Sequence, residues 1–338
     1  MAKQDSKKNS IRIQDIAKEL GTSASTVSRA LNDHPKISKQ TKQKVLDLAL
    51  RLGYKPSIPS LMLDSDTMSI ALVIPNSSEV YYASIVKAVS LICEKKSYAL
   101  FLCETQYNWE KERLFLKQIE LMNMRGMLYV NYQNLKSQED LELLAKRNFP
   151  LVIIHENDLD GGVSTVVLDI YQALHEAIDH LVSNDAHKIT LLTEDDHHPV
   201  YQGIEPLFLQ LMEQNSIRNS AAVIKISSSE NWQNVVDELL RESLPDALLV
   251  SSMKLAFAVQ QQMKQLYGDD FRKLLIISLN SGDFDAFTSP KITYFNLRGS
   301  QIGEDAAHLL IEQIETGTVA ESKALFSQLI IKSSSMKI

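Results

Sequence analysis

Cysteine is nearly absent: Cys93 and Cys103 are the only two in 338 residues. Both sit in or beside apolar runs, so buried free thiols are expected rather than a disulfide or a metal pair. Long apolar runs are missing too. No stretch approaches the ~18 residues that a membrane-spanning helix needs. The polar opening MAKQDSKKNS has no apolar segment behind it that would make a secretory signal. The expectation is a soluble cytoplasmic protein. Phosphate-binding glycine loops are also lacking, because DGGVS (160–164) has neither the Walker lysine nor GxGxxG spacing.

No catalytic constellation stands out. EDDHH (194–198) carries metal-ligating side chains, but adjacent residues seldom converge on one ion, and a strand-end loop is the better reading. SSMK (251–254) fits a Ser-x-x-Lys arrangement whose companion motifs are missing, so a helix start is expected there. His155 and Glu156 are consecutive on a strand pattern, and such neighbours point to opposite faces, so one of them at most reaches a pocket. No metal, no cofactor and no enzymatic activity are expected.

What the chain does have is an uneven charge. Residues 1–60 hold 12 Lys and Arg against 5 Asp and Glu, a balance of +7. The whole chain is at −7, so the remaining 278 residues hold 23 against 37, or −14. A small basic head on a large acidic body points to polyanion binding at one end only. The head is also patterned for folding. Ile13, Ile16, Ala17 and Leu20 lie at helical spacing, Gly21 is placed to end that helix, and Ser23 to cap a second one. On the second helix Val27, Ala30 and Leu31 face inward, which leaves Ala24, Ser25, Ser28 and Arg29 outward. Ser38 is the cap candidate of a third helix whose stripe is Val45, Leu48, Ala49 and Leu52, with a stop at Gly53.

Residues 21–33 read GTSASTVSRALND, with five hydroxyl residues and one arginine. Serine and threonine are weak helix formers because their hydroxyls compete for backbone hydrogen bonds. They suit a helix that must approach phosphates closely. Two short helices about a glycine turn, braced by a third, make a helix-turn-helix whose second helix enters a DNA major groove.

IQDIAKELGTSASTVSRALN (13–32) and ISKQTKQKVLDLALRLGYKP (37–56) resemble the headpiece of the LacI/GalR family of bacterial transcription regulators. The likeness runs almost continuously over residues 12–56. It implies that Ala24, Ser25 and Arg29 read bases. It assigns Gln14, Ser23, Thr26, Ser28, Asn32, Ser38, Thr41 and Tyr54 to phosphate contact or positioning. Arg12 departs from the pattern, since the family commonly has a capping Thr there. After GYKP the family continues into a short helix that wedges leucine into the minor groove. SIPSLMLDSD (57–66) places Leu63 on the wedge position. However, Ser60 and Leu61 replace the family's Ala-Arg, and Asp64 and Asp66 repel phosphates. A plain linker with leucines packing between subunits is the alternative.

Beyond residue 69, apolar strand patterns alternate with helical ones: IALVIP, YALFLCE, GMLYVNY, PLVIIHE, STVVLD, KITLLTE, AAVIKIS, DALLVSS, LLIISLN, KITYFNL and SQLIIK. Continuous apolar strands joined by helices mean parallel sheets covered on both faces. The expected fold is therefore an all-α helix-turn-helix headpiece followed by an α/β body of two lobes with doubly wound parallel sheets. The resemblance makes that body similar to periplasmic binding proteins. The expected divisions are headpiece 1–56, hinge 57–68 and body 69–338. Lobe one covers about 69–168 plus 297–325, and lobe two about 169–296 with the C-terminal strand returning.

Ligands of such sheets sit beyond the carboxyl ends of the strands. The effector candidates are Asn76, Tyr81, Tyr82, Thr105, Asn131, His155, Glu156, Val200, Met253 and Asn280. Four family positions have changed here. His155-Glu156 stands where an Asp, often followed by Arg, is usual, and Val200 stands for an Arg. Ser252-Met253 replaces Asn-Asp, and Asn280 replaces an Asp. Charged, bidentate groups serve sugar recognition, so an ordinary monosaccharide is not expected. Another molecule, or a weak or absent response, is. The resemblance implies a homodimeric, operator-binding regulator, nucleoid-associated in the cytoplasm, with its dimer surface on outward helix positions of lobe one. The alternative is a cytoplasmic small-molecule binding protein with a vestigial headpiece.

Overall fold

Capping residues set where the first three helices begin and end. The protein is described here by a computed structural model covering residues 11–31, 34–52, 54, 68–122, 124–131, 137–155, 163–194, 203–215, 221–227, 231–268, 274–282 and 287–337. In it α1 spans Ile13–Glu19, α2 Ala24–Leu31 and α3 Lys39–Leu52. Arg12 has no capping side chain, but the start of α1 holds because the Asp15 carboxylate accepts the Arg12 N–H at 2.7 Å. Gly21 then ends α1 in the left-handed region, with φ of 63°, where any Cβ would be strained. Ser23 Oγ accepts the Thr26 N–H, and Ser38 Oγ accepts the Thr41 N–H, each at 3.1 Å. Ile16, Ala17, Val27, Ala30, Val45 and Leu48 close a small core that also takes in the Tyr54 ring.

The body follows as β1 (Met68–Ile74), α4 (Val80–Lys95), β2 (Tyr98–Glu104), α5 (Trp109–Leu121), β3 (Gly126–Val130), α6 (Gln138–Lys146), β4 (Leu151–Ile154) and β5 (Ser164–Asp169). The second half runs α7 (Tyr171–Ser183), β6 (Ile189–Glu194), α8 (Ile204–Gln214), β7 (Ala221–Ile226), α9 (Trp232–Glu242), β8 (Ala247–Val250), α10 (Met253–Tyr267) and β9 (Leu275–Ser278). It ends with β10 (Thr293–Asn296), α11 (Gly299–Thr316), β11 (Lys323–Phe326) and β12 (Gln328–Ile330).

Sheet one has the order β11-β5-β4-β3-β1-β2, parallel throughout. Sheet two has the order β12-β10-β9-β8-β6-β7, parallel except where β12 runs against β10. Period-two alternation explains why each sheet needs helices on both sides. On β1, Ile70, Leu72 and Ile74 face α4 and α11, while Ala71 and Val73 face α5 and α6. In sheet two, Leu191, Leu249 and Ile277 face α7 and α8, and Leu192, Leu248 and Ile276 face α9 and α10.

Two features differ from the sequence reading. The strand β11 was not anticipated: Lys323, Ala324 and Phe326 are exposed and only Leu325 is partly buried, so KALF carries no apolar run. It is an edge strand, held by pairing with β5. The antiparallel β12 departs from wholly parallel sheets because the chain enters sheet two from the end of β11, against the direction of β10. The chain crosses between sheets after Asp169, after Leu297 and at Ser327, and the Ser327 N–H ties two crossings by donating to Asp169 O at 2.9 Å.

The two cysteines are free thiols, Cys93 buried and Cys103 half-buried. Burial pushes both up to about 11, which keeps them protonated and unreactive at neutral pH. No helix among the described residues is long and apolar enough to cross a membrane.

The headpiece rests on α5. Lys39 Nζ meets both Glu110 carboxylate oxygens, at 3.0 and 3.2 Å. Gln118 Nε2 donates to Leu31 O at 3.3 Å, and Leu114 packs against the headpiece core.

Candidate nucleic-acid interface and interlobe cleft

The outward face of α2 is built by what the helix buries. Val27 and Ala30 are sealed in the headpiece core, and this turns Ala24, Ser25 and Arg29 to solvent. The capping Ser23 Oγ also lies 2.9 Å from Ser25 Oγ and 2.8 Å from Thr26 Oγ1. These hydroxyls satisfy one another, and each keeps an acceptor or donor to exchange. Ser38 Oγ and Thr41 Oγ1 form a similar pair at 2.7 Å at the start of α3. Two helix N-termini, each ringed by hydroxyls, thus lie in one small basic unit, an arrangement suited to phosphate oxygens. Gln14 is exposed on α1 and Ser28 is half-buried. Tyr54 is only 6% exposed, with its N–H donating to Ala49 O at 2.9 Å, so it positions α3. Asn32 and Leu63 lie outside the described residues, as do Glu156 and Val200 of the cleft.

The remaining cleft candidates gather at the carboxyl ends of strands. Asn76 follows β1, Thr105 follows β2, Asn131 follows β3 and His155 follows β4. Tyr81 and Tyr82 open α4 beside them, with ring centroids 5.2 Å apart. Thr105 is fully buried, and its Oγ1 has no hydrogen-bond partner among the described residues. His155 holds a left-handed φ of 76°, which costs a non-glycine residue about 1–2 kcal/mol. Its N–H donates to Val166 O at 2.9 Å, fixing the turn. His155 Nε2 lies 3.2 Å from the Tyr81 hydroxyl.

Burial lowers the His155 pKa from 6.5 to about 3, so the imidazole is neutral at physiological pH. This has a consequence for stability. Below pH 6.5 the unfolded chain takes up a proton that the folded chain refuses until about pH 3. Stability that is complete above pH 6.5 is therefore lost as the pH falls, by about 2 kcal/mol at pH 5 from this residue. Urea titrations of the wild type and His155→Gln at pH 7.5 and 5.0 check it. The wild type should lose about 2 kcal/mol more than the variant, and equal losses would show that His155 is not the group responsible.

On lobe two, Ser252 Oγ accepts the Leu255 N–H at 3.2 Å and donates to Glu194 Oε2 at 2.9 Å. It caps α10, the helix start expected for this stretch. Asn280 Oδ1 accepts the Met253 N–H at 3.0 Å. Tyr81 and Asn280 come together as walls of one crevice of about 480 Å³, with Ser84, Gln301 and Arg298. Arg298 is the charged group in that lining. Sequence reasoning missed it, because only the folded crossing after Leu297 brings the start of α11 beside α4.

Comparison with known proteins agrees with this geometry. Residues 12–57 match the family described as bacterial regulatory proteins, lacI family. Residues 178–335 match the periplasmic binding protein-like domain. The HTH-type transcriptional repressor PurR of Histophilus somni is 25% identical over 335 residues, covering 95% of this chain and 98% of that protein. Catabolite control protein A of Priestia megaterium is 24% identical, covering 92% of this chain and 95% of that protein. Among solved structures, the lac repressor dimer bound to operator and the anti-inducer ONPF superposes with a TM-score of 0.68. It shares 15% identity and covers 97% of this chain and all of that one. These relatives are transcription regulators, not enzymes. With the capped helix-turn-helix at one end and a two-lobed binding fold behind it, the chain joins a helix-turn-helix domain of the lacI family of bacterial regulatory proteins to a periplasmic binding protein-like domain, the make-up of its transcription-regulator relatives.

Proposed function

We propose that this regulator acts as a homodimer and represses transcription from a pseudo-palindromic operator, in the cytoplasm. One observation carries the DNA half of the reading: Ala24, Ser25 and Arg29 are exposed on a helix that is itself capped and packed. Ala24 and Ser25 permit close approach, and Arg29 offers the bidentate pair to guanine. The chain divides functionally into the headpiece (1–56), a connecting hinge (57–68) and the two-lobed body (69–338). Dimerisation is supported by apolar side chains exposed on lobe one, Leu91 of α4 at 49% and Leu102 of β2 at 43%. Exposed apolar surface of this kind favours self-association.

The effector, on this reading, occupies the cleft between Asn76, Tyr81, Thr105, Asn131 and His155 on one side and Asn280 on the other. A neutral imidazole and amides provide hydrogen bonds without the carboxylate pairing typical of sugar sites, which supports a non-sugar ligand. Ligand binding that favours one lobe arrangement shifts the spacing of the two headpieces.

Gel retardation across genomic fragments tests the DNA reading. Retention should be sequence-selective and fall steeply as salt rises. Retention of every fragment alike, or of none, would instead support a small-molecule binding protein with a vestigial headpiece. Repeating the retained fragment with a metabolite panel then identifies the effector by its change in affinity.

A further inference from the structure

The junction between the headpiece and lobe one holds a crevice of about 460 Å³. Its headpiece wall is α3, with Lys39 and Lys42, and its lobe-one wall is α5, with Lys111, Arg113 and Lys117. Among the described residues, Glu110 is the single acidic side chain in the lining. This is the reverse of what the body's charge predicts, since residues 61–338 carry −14 against +7 in residues 1–60. An acidic body has turned a cationic strip toward an already cationic headpiece, and like charges facing each other across a gap are costly unless an anion lies between them.

We propose that this strip is a second DNA-backbone contact, in which Lys111 and Lys117 of lobe one continue the phosphate-binding surface that Ser38, Lys39 and Thr41 begin. The inference rests on the DNA-binding reading of the headpiece. Its occupant is double-stranded DNA for two reasons. Lys39 and Lys42 of the first turn of α3 line the crevice, beside the Ser38–Thr41 hydroxyl pair that suits phosphate oxygens. Lys111 and Lys117 both line the crevice, separated along α5 by roughly 9 Å of rise, so that each can reach a different phosphate of one backbone.

The existing contacts permit the exchange. Lys39 and Glu110 are 87% and 57% exposed, so their pair is weak and yields readily to a phosphate. Arg113 is held by Asp140 at 3.1 Å and is not assigned to DNA. Lys111 lies over the Phe115 ring, 5.8 Å from its centroid, and Lys117 has no ion-pair partner among the described residues. Docking also leaves the reading face of α2 exposed, so headpiece and strip can engage one duplex together.

The test is the salt dependence of duplex binding by the full chain, using a retained genomic fragment and a random-sequence duplex. Lys111→Gln/Lys117→Gln should reduce the slope of log K against log salt by about 2 on both duplexes. Lys146→Gln serves as control, since Lys146 lies on α6 in an exposed pair with Glu142, and should leave the slope unchanged. An unchanged slope in the double variant, or an equal drop in the control, overturns the second contact while leaving the headpiece reading intact. Thermal stabilisation by inorganic phosphate that disappears in the double variant, without a change of slope, would reassign the crevice to a small anion and overturn it as well. A wild-type chain that retains no duplex overturns both.

Discussion

Arg29→Ala is expected to weaken operator binding by about 5- to 150-fold, equivalent to about 1–3 kcal/mol, and to relax preference at one base pair per half-site. The reason lies in what surrounds Arg29 on α2. Its neighbours on the outward face are Ala24 and Ser25, neither long enough to make a forked contact. Val27 and Ala30 are buried, so truncating Arg29 leaves helix packing intact and removes only the contact. Arg29→Lys separates charge from geometry, because lysine keeps the positive charge but lacks the planar fork. The lysine variant should bind random DNA nearly as the wild type does, yet discriminate as poorly as the alanine variant. Competition titrations of operator against scrambled duplex measure both. If Arg29→Ala keeps the wild-type ratio of specific to non-specific affinity, specificity resides elsewhere on the headpiece.

The second large effect is structural and reaches the cleft. Gly303→Val should destabilise lobe one by about 3 kcal/mol and lower its melting temperature by roughly 6–12 °C. Glycine inside a helix costs about 1 kcal/mol relative to alanine, so its presence in the second turn of α11 asks for a reason. The reason is α4: a Cβ at Gly303 would sit 2.7 Å from Ile85 O and 3.0 Å from Ala88 Cβ. Because Ile85 O is backbone, no side-chain rotation relieves the contact, and the helices must separate. At Gly299, one turn earlier, a Cβ would meet Tyr81 O at 2.9 Å. Moving α4 away from α11 would therefore displace Tyr81 and its contact with His155, so effector binding should weaken along with stability. Thermal melts followed by circular dichroism check the first part. A melting temperature within a degree of wild type would mean that α4 and α11 are not in direct backbone contact there.

How much of this was legible beforehand depended on whether the signal was local. The headpiece was readable because caps, a glycine stop and a 3-4 apolar stripe act within a few residues. Even the departure at Arg12 was repaired locally, by Asp15 three residues away. The central strands were readable because burial on both faces demands an unbroken apolar run. Strand β11 was not, since an edge strand is specified by the partner it pairs with rather than by its own composition.

The site divides along the same line. Sequence alone determined that α2 presents Ala24, Ser25 and Arg29, because helical periodicity fixes which residues share a face. It also placed Asn76, Thr105, Asn131 and His155 at strand ends, because a parallel sheet brings those ends to one edge. Only the tertiary structure decided that His155 is buried against Tyr81 and kept neutral. Desolvation depends on everything packed around a group, and the residues packed here come from several elements. It alone placed Arg298 beside Asn280, and set Lys111 and Lys117 of an acidic body against the basic headpiece. These juxtapositions join residues far apart in the chain. The forces that fix them, close packing and burial of charge, act through space and leave no period in the sequence.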